Sequence, residues 1–216
     1  MTRTPPAPRE IWREFHWAFF IDVQGLILAL RRFALTLERG EIAEAGRELD
    51  AAAELMDASA AAMRLAGAFP REAYEAEVRP SMAPPNVRSD GFSGLMSWEH
   101  GALINLWRGL RPRFAVLPEA LAPAHARFVA AYGRMAEGHV QVCARFVGEE
   151  AQSLRYDDRA AIPTLRRFAA GRLTLIDPAG AARTGGSGET PEAERTADAE
   201  QTGAPEESVD AEETGR

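Results

Sequence analysis

Between Trp12 and Leu37 the apolar positions return at alternating steps of four and three, through His16, Phe19, Val23, Leu26, Leu30 and Phe33. That rhythm is the buried stripe of one amphipathic helix about eight turns long. Gly40, behind Glu38 and Arg39, is a natural stop. The stripe restarts at Ile42 and runs through Ala45, Leu49, Ala52, Met56, Ser59, Met63 and Ala66. A one-glycine break between two such helices forces them to lie antiparallel, so the chain opens with an αα-hairpin.

The rest of the chain keeps the helical period. Pro70 ends the second helix, and a short helical piece reaches Val78. Arg79-Pro80-Ser81-Met82-Ala83-Pro84-Pro85 then predicts extended backbone, and residues 79–94 an ordered loop closing on Gly91-Phe92-Ser93-Gly94. A third helix is expected from Leu95 to Leu110, ended by Pro112. A fourth should occupy Pro118 to Gly148, with a kink at Pro123 and a stripe of His125, Phe128, Tyr132, Met135, His139, Val142 and Phe146. A weaker helix surrounds Leu165 to Leu173. Period-two alternation is nearly absent, so the fold class is all-α: a bundle of about four main helices with short ones added.

Charge divides the chain. Residues 181–216 hold ten acids and three bases, which by themselves account for the net charge of −7 and leave a neutral body. This stretch has no aromatic residue and one branched aliphatic, Val209, too little apolar surface to offset the entropy of ordering it. The expected organisation is a disordered leader over 1–10, a helical domain over 11–176 and a disordered acidic tail over 177–216. A neutral body without a basic block argues against a nucleic-acid partner. The apolar run from Trp17 to Leu30 is interrupted by Asp22 and Gln24, which argues against a membrane span or a signal peptide. With Cys143 the single cysteine, no internal disulfide can form, and a cytoplasmic location is the expectation. On the first helix, Phe20 and Ile27 fall outside the main stripe and offer apolar surface for a homo-oligomer.

Three of the four histidines, His16, His125 and His139, fall on apolar stripes, where a half-buried, hydrogen-bonded imidazole is the ordinary outcome. His139 differs because Cys143 follows it by four residues, which sets imidazole and thiol on one helix face a turn apart. Such a pair can ligate a metal, act as a Cys/His nucleophile, or hold haem through an axial imidazole and one thioether. Zinc wants three or four N/S ligands in close groups, which the sequence does not supply around His139. An apolar seam raises a thiol's pKa and blocks access to it, which disfavours the nucleophile. Haem suits an apolar helical slot, and Phe128, Tyr132, Met135, Val142 and Phe146 offer the wall it needs, although the same residues would equally build a plain core.

Taken as a motif, Tyr132-Gly-Arg-Met-Ala-Glu-Gly-His139-Val-Gln-Val-Cys143-Ala-Arg-Phe-Val-Gly148 resembles the proximal-haem helix of the tryptophan 2,3-dioxygenase and indoleamine 2,3-dioxygenase superfamily. Phe92-Ser93-Gly94-Leu95-Met96-Ser97-Trp98-Glu99-His100 is similar to the segment that lines the substrate side there, and Phe20-Ile21-Asp22-Val23-Gln24 to its distal helix. Within these histidine-ligated haem aromatic oxygenases, the methyl-tyrosine hydroxylases carry a His-xn-His-xxx-Cys pattern. His100, His139 and Cys143 fit it. The resemblance implies haem as cofactor, His139 as proximal iron ligand, Cys143 as a thioether to a haem vinyl group, and His100 as second axial ligand or distal catalytic group. It implies a small aromatic substrate resembling tryptophan or tyrosine, with dioxygen or peroxide as oxidant. From their location Phe19, Phe20, Ser93 and Trp98 are candidate pocket residues, and Arg79 or Arg88 a candidate carboxylate partner.

Three functions follow as expectations: a haem-dependent oxygenase or hydroxylase of an aromatic amino acid or derivative, a non-catalytic bis-histidine haem sensor or carrier, and a cofactor-free helical interaction protein.

Overall fold

A computed structural model of the chain describes residues 6–86, 97–147 and 160–183. These residues form helices α1 (Pro8–Glu38), α2 (Ile42–Ala66), α3 (Arg71–Ala73), a π-helical turn (Tyr74–Val78), α4 (Arg79–Ser81), α5 (Trp98–Phe114), a 3-10 turn (Glu119–Leu121), α6 (Ala122–Val147), α7 (Ala161–Ile176) and α8 (Pro178–Arg183). The all-α class expected from the periodicities is the one observed.

The α1–α2 corner is the predicted hairpin. Gly40 sits at φ 72°, which the absence of a Cβ makes accessible. Around it the Glu41 N–H donates to the Thr36 carbonyl (2.9 Å) and the Gly40 N–H to the Leu37 carbonyl (3.1 Å), the paired bonds that close a helix C-terminus.

The five long helices form a closed ring in which α1 packs along α2, α2 along α6, α6 along α7, α7 along α5, and α5 back along α1. Cross-helix partners fix the directions. Arg127 Nε donates to Asp50 (2.9 Å), Arg134 Nε to Asp57 (2.8 Å), and Arg145 Nη1 to the Gly67 carbonyl (3.1 Å), so α2 and α6 run parallel in constant register. Gln24 bonds Glu99 (3.1 Å) and Arg113 pairs with Glu38, so α1 and α5 are parallel as well. Exposed pairs of this kind contribute about 0–1 kcal/mol each to net stability, which burial supplies, while together they hold the register of the two helices. The main core inside the ring includes Leu26, Leu30 and Phe33 of α1, Leu49 and Met56 of α2, Trp107 and Leu110 of α5, and Phe128 of α6, all 1 % exposed or less.

Several boundaries differ from expectation. The helix begins at Pro8, inside the presumed leader: proline at N1 needs no partner for its missing N–H, and Glu10 accepts from the Ala7 N–H (3.2 Å). Arg79-Pro80-Ser81 is helical rather than extended. The π-helical turn just before it widens the backbone, which relieves the clash between the proline ring and the carbonyl four residues back. Pro112 lies within α5 and does not end it; near a C-terminus it removes a single helical bond, while Phe114 beyond it is buried, stacked on Phe33 (5.7 Å) and Phe128 (6.2 Å). Pro123 sits at the second residue of α6, in the first turn, where its missing N–H leaves no α-helical hydrogen bond unmade. The helical body continues past residue 176 through α8 to Arg183. The acidic stretch from residue 184 and the Gly91–Gly94 corner lie outside the described residues.

Candidate functional site

At the end of the ring where α1 begins, a second and smaller cluster gathers Phe69, Tyr74, Val78 and Phe146, with Trp12 and Val142 against it. Phe146 stacks on Tyr74 (4.5 Å) and Phe69 (5.1 Å), and Trp12 meets Tyr74 at 5.8 Å. Gly67 makes this closeness of α2 and α6 possible: a Cβ there would lie 3.1 Å from both Val142 and Phe146. Cys143 belongs to the same stretch of α6 and is near enough to Tyr74 to influence its phenol. Loss of water pushes the Cys143 thiol up to about 11, so it stays protonated at neutral pH. Burial also raises the Tyr74 phenol; Arg79 opposes that shift, and Cys143 and Glu75 add to it.

One turn before the cysteine, His139 is held well below the usual imidazole range, at about 4. Desolvation is the main cause, followed by the positive charge of Arg172 from α7 and the influence of His16 from α1. At neutral pH it is therefore an uncharged imidazole with a free electron pair on one ring nitrogen. His16 donates from Nδ1 to the Trp12 carbonyl (2.7 Å), its ring 4.2 Å from that of Trp12. This bond assigns the proton to Nδ1 and leaves Nε2 as the acceptor. Burial lowers the pKa of His16, partly offset by that carbonyl. The Arg172 guanidinium lies over the Phe168 ring at 5.6 Å.

His100 lies in the first turn of α5. Ser97 caps α5 by accepting from the His100 N–H (3.2 Å). Trp107 meets Tyr132 edge-on (5.5 Å), and one heptad on, running oppositely along each helix, Phe114 stacks on His125 (5.1 Å). The Nε2 atom of His100 is buried.

Other candidates fall elsewhere. Phe128 is fully enclosed in the main core, and Tyr132 is buried there with its hydroxyl donating to the Ala169 carbonyl (3.1 Å), so neither walls the His139–Cys143 end. His125 is a structural histidine, its Nε2 donating to the Ile176 carbonyl (2.6 Å). Trp98 is 72 % exposed and forms no pocket wall, because the first turn of α5 points it outward. Arg79 is exposed and paired with Glu75 (3.7 Å). Phe19 packs against the main core, with Phe20 edge-on to it (5.6 Å). Ser93 and Arg88 lie outside the described residues. Tyr74 and Arg172 were missed from sequence, where nothing distinguishes them from other aromatics and arginines; Trp12 and His16 carried a signal, their i,i+4 spacing on the α1 stripe.

Among the described residues no three His, Cys, Asp or Glu side chains converge into a metal-ion site, and no helix is long and apolar enough to cross a membrane.

Residues 2–126 match the family model described as SfmD 3-methyl-L-tyrosine peroxygenase. The chain belongs to this family. The matched region includes His16, Tyr74 and His100 and stops short of His139 and Cys143. A 3-methyl-L-tyrosine peroxygenase of Streptomyces lavendulae is 30 % identical over 177 residues, covering 81 % of this chain and 48 % of that relative. The chain thus spans about half the length of the curated relative it matches. No solved structure matches.

Proposed function

We propose that the chain binds haem at the His139–Cys143 end of the bundle and uses it, with peroxide as oxidant, to hydroxylate a small aromatic substrate related to tyrosine in a biosynthetic pathway. The observation that carries this reading is the donor pair: an uncharged imidazole and a protonated thiol, both buried and one turn apart on α6. A porphyrin brings four of its iron's ligands with it, so it needs only one or two from protein, which is what these helices offer.

The residues fit the group in four respects. His139, kept neutral by burial, supplies an electron pair without first having to lose a proton. Cys143 retains the S–H that adds across a vinyl group to give a thioether. His100 serves as second axial ligand or distal proton-handling group. Arg172 supplies a cation beside His139 for a carboxylate of the bound molecule, while Trp12, Tyr74 and Phe146 exclude water from the thiol's side. Haem, when bound, supplies the peroxide-dependent oxidation of the aromatic ring; the protein's part is to hold, orient and keep dry.

The test is turnover of a tyrosine derivative by the haem-loaded chain with peroxide. His139→Ala should abolish haem retention and turnover together, while His125→Ala, a structural position, should retain both. Equal loss in the two variants would overturn the axial assignment. The buried Nε2 of His100 is in keeping with a second reading, a carrier with both axial positions held; haem binding without any peroxide-dependent product would establish that one instead.

A further inference from the structure

The ring buries one face of α1 and leaves another bare. Ile27, expected on the open side, is 4 % exposed and belongs to the core, and Phe20 is half-buried. The open side instead presents Trp17 (62 % exposed), Ile21 (64 %), Leu28 (60 %) and Leu35 (44 %). Ile21, Leu28 and Leu35 recur every seven residues and Trp17 stands one turn before Ile21. Gln24 and Arg31 line the edge toward α5, so α1 carries an outward apolar strip of seven-residue spacing in addition to its inward stripe. Polar pairs border the seam on both sides: Gln24–Glu99 and Glu38–Arg113 toward α5, Arg32–Glu48 toward α2. An apolar strip between polar rims is the anatomy of a protein interface.

We propose that this seam is a homodimer interface in which α1 of one chain packs against α1 of a second copy. A strict seven-residue repeat selects a partner helix with the same repeat, and this chain's own α1 presents one. The area suffices. Trp98, next to Glu99 on the α5 rim, extends the strip; taking roughly 100–150 Å² of exposed surface per side chain, these five residues offer about 500–750 Å². Doubled by a two-fold axis, about 1,000–1,500 Å² enters the range of specific interfaces. Charge selects the direction. A parallel pair would set each Arg31 against its own copy, whereas an antiparallel pair with the axis near the level of residue 26 lays Trp17 beside the partner's Leu35 and Arg31 beside the partner's Ile21.

Sedimentation velocity or light scattering on the purified full chain at tens of micromolar tests this. The wild type should have twice the mass of one chain. Ile21→Glu/Leu28→Glu should raise the dimer dissociation constant at least ~100-fold while leaving the helical circular dichroism unchanged, since both positions face solvent in the single chain. Leu173→Glu, a partly exposed leucine (37 %) on α7 across the ring, should stay dimeric. A monomeric wild type, a double variant that still dimerises, or loss of the dimer in Leu173→Glu would each overturn the proposal.

Discussion

Truncating Phe146 to alanine should unfasten the small aromatic cluster and expose the buried thiol in the same stroke. The ring is 2 % exposed and contacts Tyr74, Phe69 and Trp12. Deleting a buried phenyl ring costs about 3–5 kcal/mol, and the Gly67 contact cannot collapse to fill the space because α2 and α6 are pinned by Arg134–Asp57 and by Arg145 on Gly67. For a domain of this size the loss corresponds to a fall of about 6–20 °C in melting temperature. The second consequence is chemical. Burial alone holds the Cys143 thiol at about 11, and opening a cavity one turn away should bring it back toward its ordinary range. In the haem-free protein at pH 8, reaction with a disulfide reagent should then accelerate by roughly 10- to 100-fold, in proportion to thiolate fraction. Thermal melts and thiol titration of Phe146→Ala, with Phe146→Leu as the milder control, check both. A stability loss below ~1 kcal/mol with an unchanged thiol rate would refute the packing that surrounds Cys143.

Other perturbations have definite signs. In the haem-free chain His139 has a folded pKa of about 4 against an unfolded value near 6.5. Its stabilising contribution is therefore complete above 6.5 and lost as pH falls toward 4, by up to about 3 kcal/mol, and His139→Gln should flatten urea-melt stability across that window. Gly40→Ala should destabilise by about 1 kcal/mol through the positive φ alone, since no atom lies within 4 Å of the added Cβ. Tyr132→Phe removes the bond to the Ala169 carbonyl and should cost about 0.5–1.5 kcal/mol in a chemical melt, while haem retention stays at the wild-type level because the ring belongs to the main core.

The hairpin, the long helices and the His139–Cys143 pairing were legible because each depends on spacing within one helix. What was not legible depends on which neighbour a helix meets. α1 carries two apolar stripes, and the period alone does not say which of them α2 and α5 will cover, so Ile27 reads as surface from sequence and the strip of Trp17, Ile21, Leu28 and Leu35 does not stand out. Phe128 and Tyr132 share the His139 stripe, yet the antiparallel packing of α5 against α6 places them with Trp107 and Phe114 inside the ring. Pro80 and Pro112 read as breaks because their local cost is plain in sequence, whereas the π-helical turn and the burial of Phe114 that offset it are not. Tyr74 and Arg172 reach the site from elements remote in the chain, and only packing brings them there.

If α6 holds a haem through His139 and ties it through Cys143, the haem should resist extraction from the protein. The most direct measurement is the visible spectrum of the purified protein before and after acid–acetone extraction. A Soret band should stay with the wild-type protein after extraction and leave with the solvent in Cys143→Ala. A protein expressed with ample haem that shows no Soret band would contradict it.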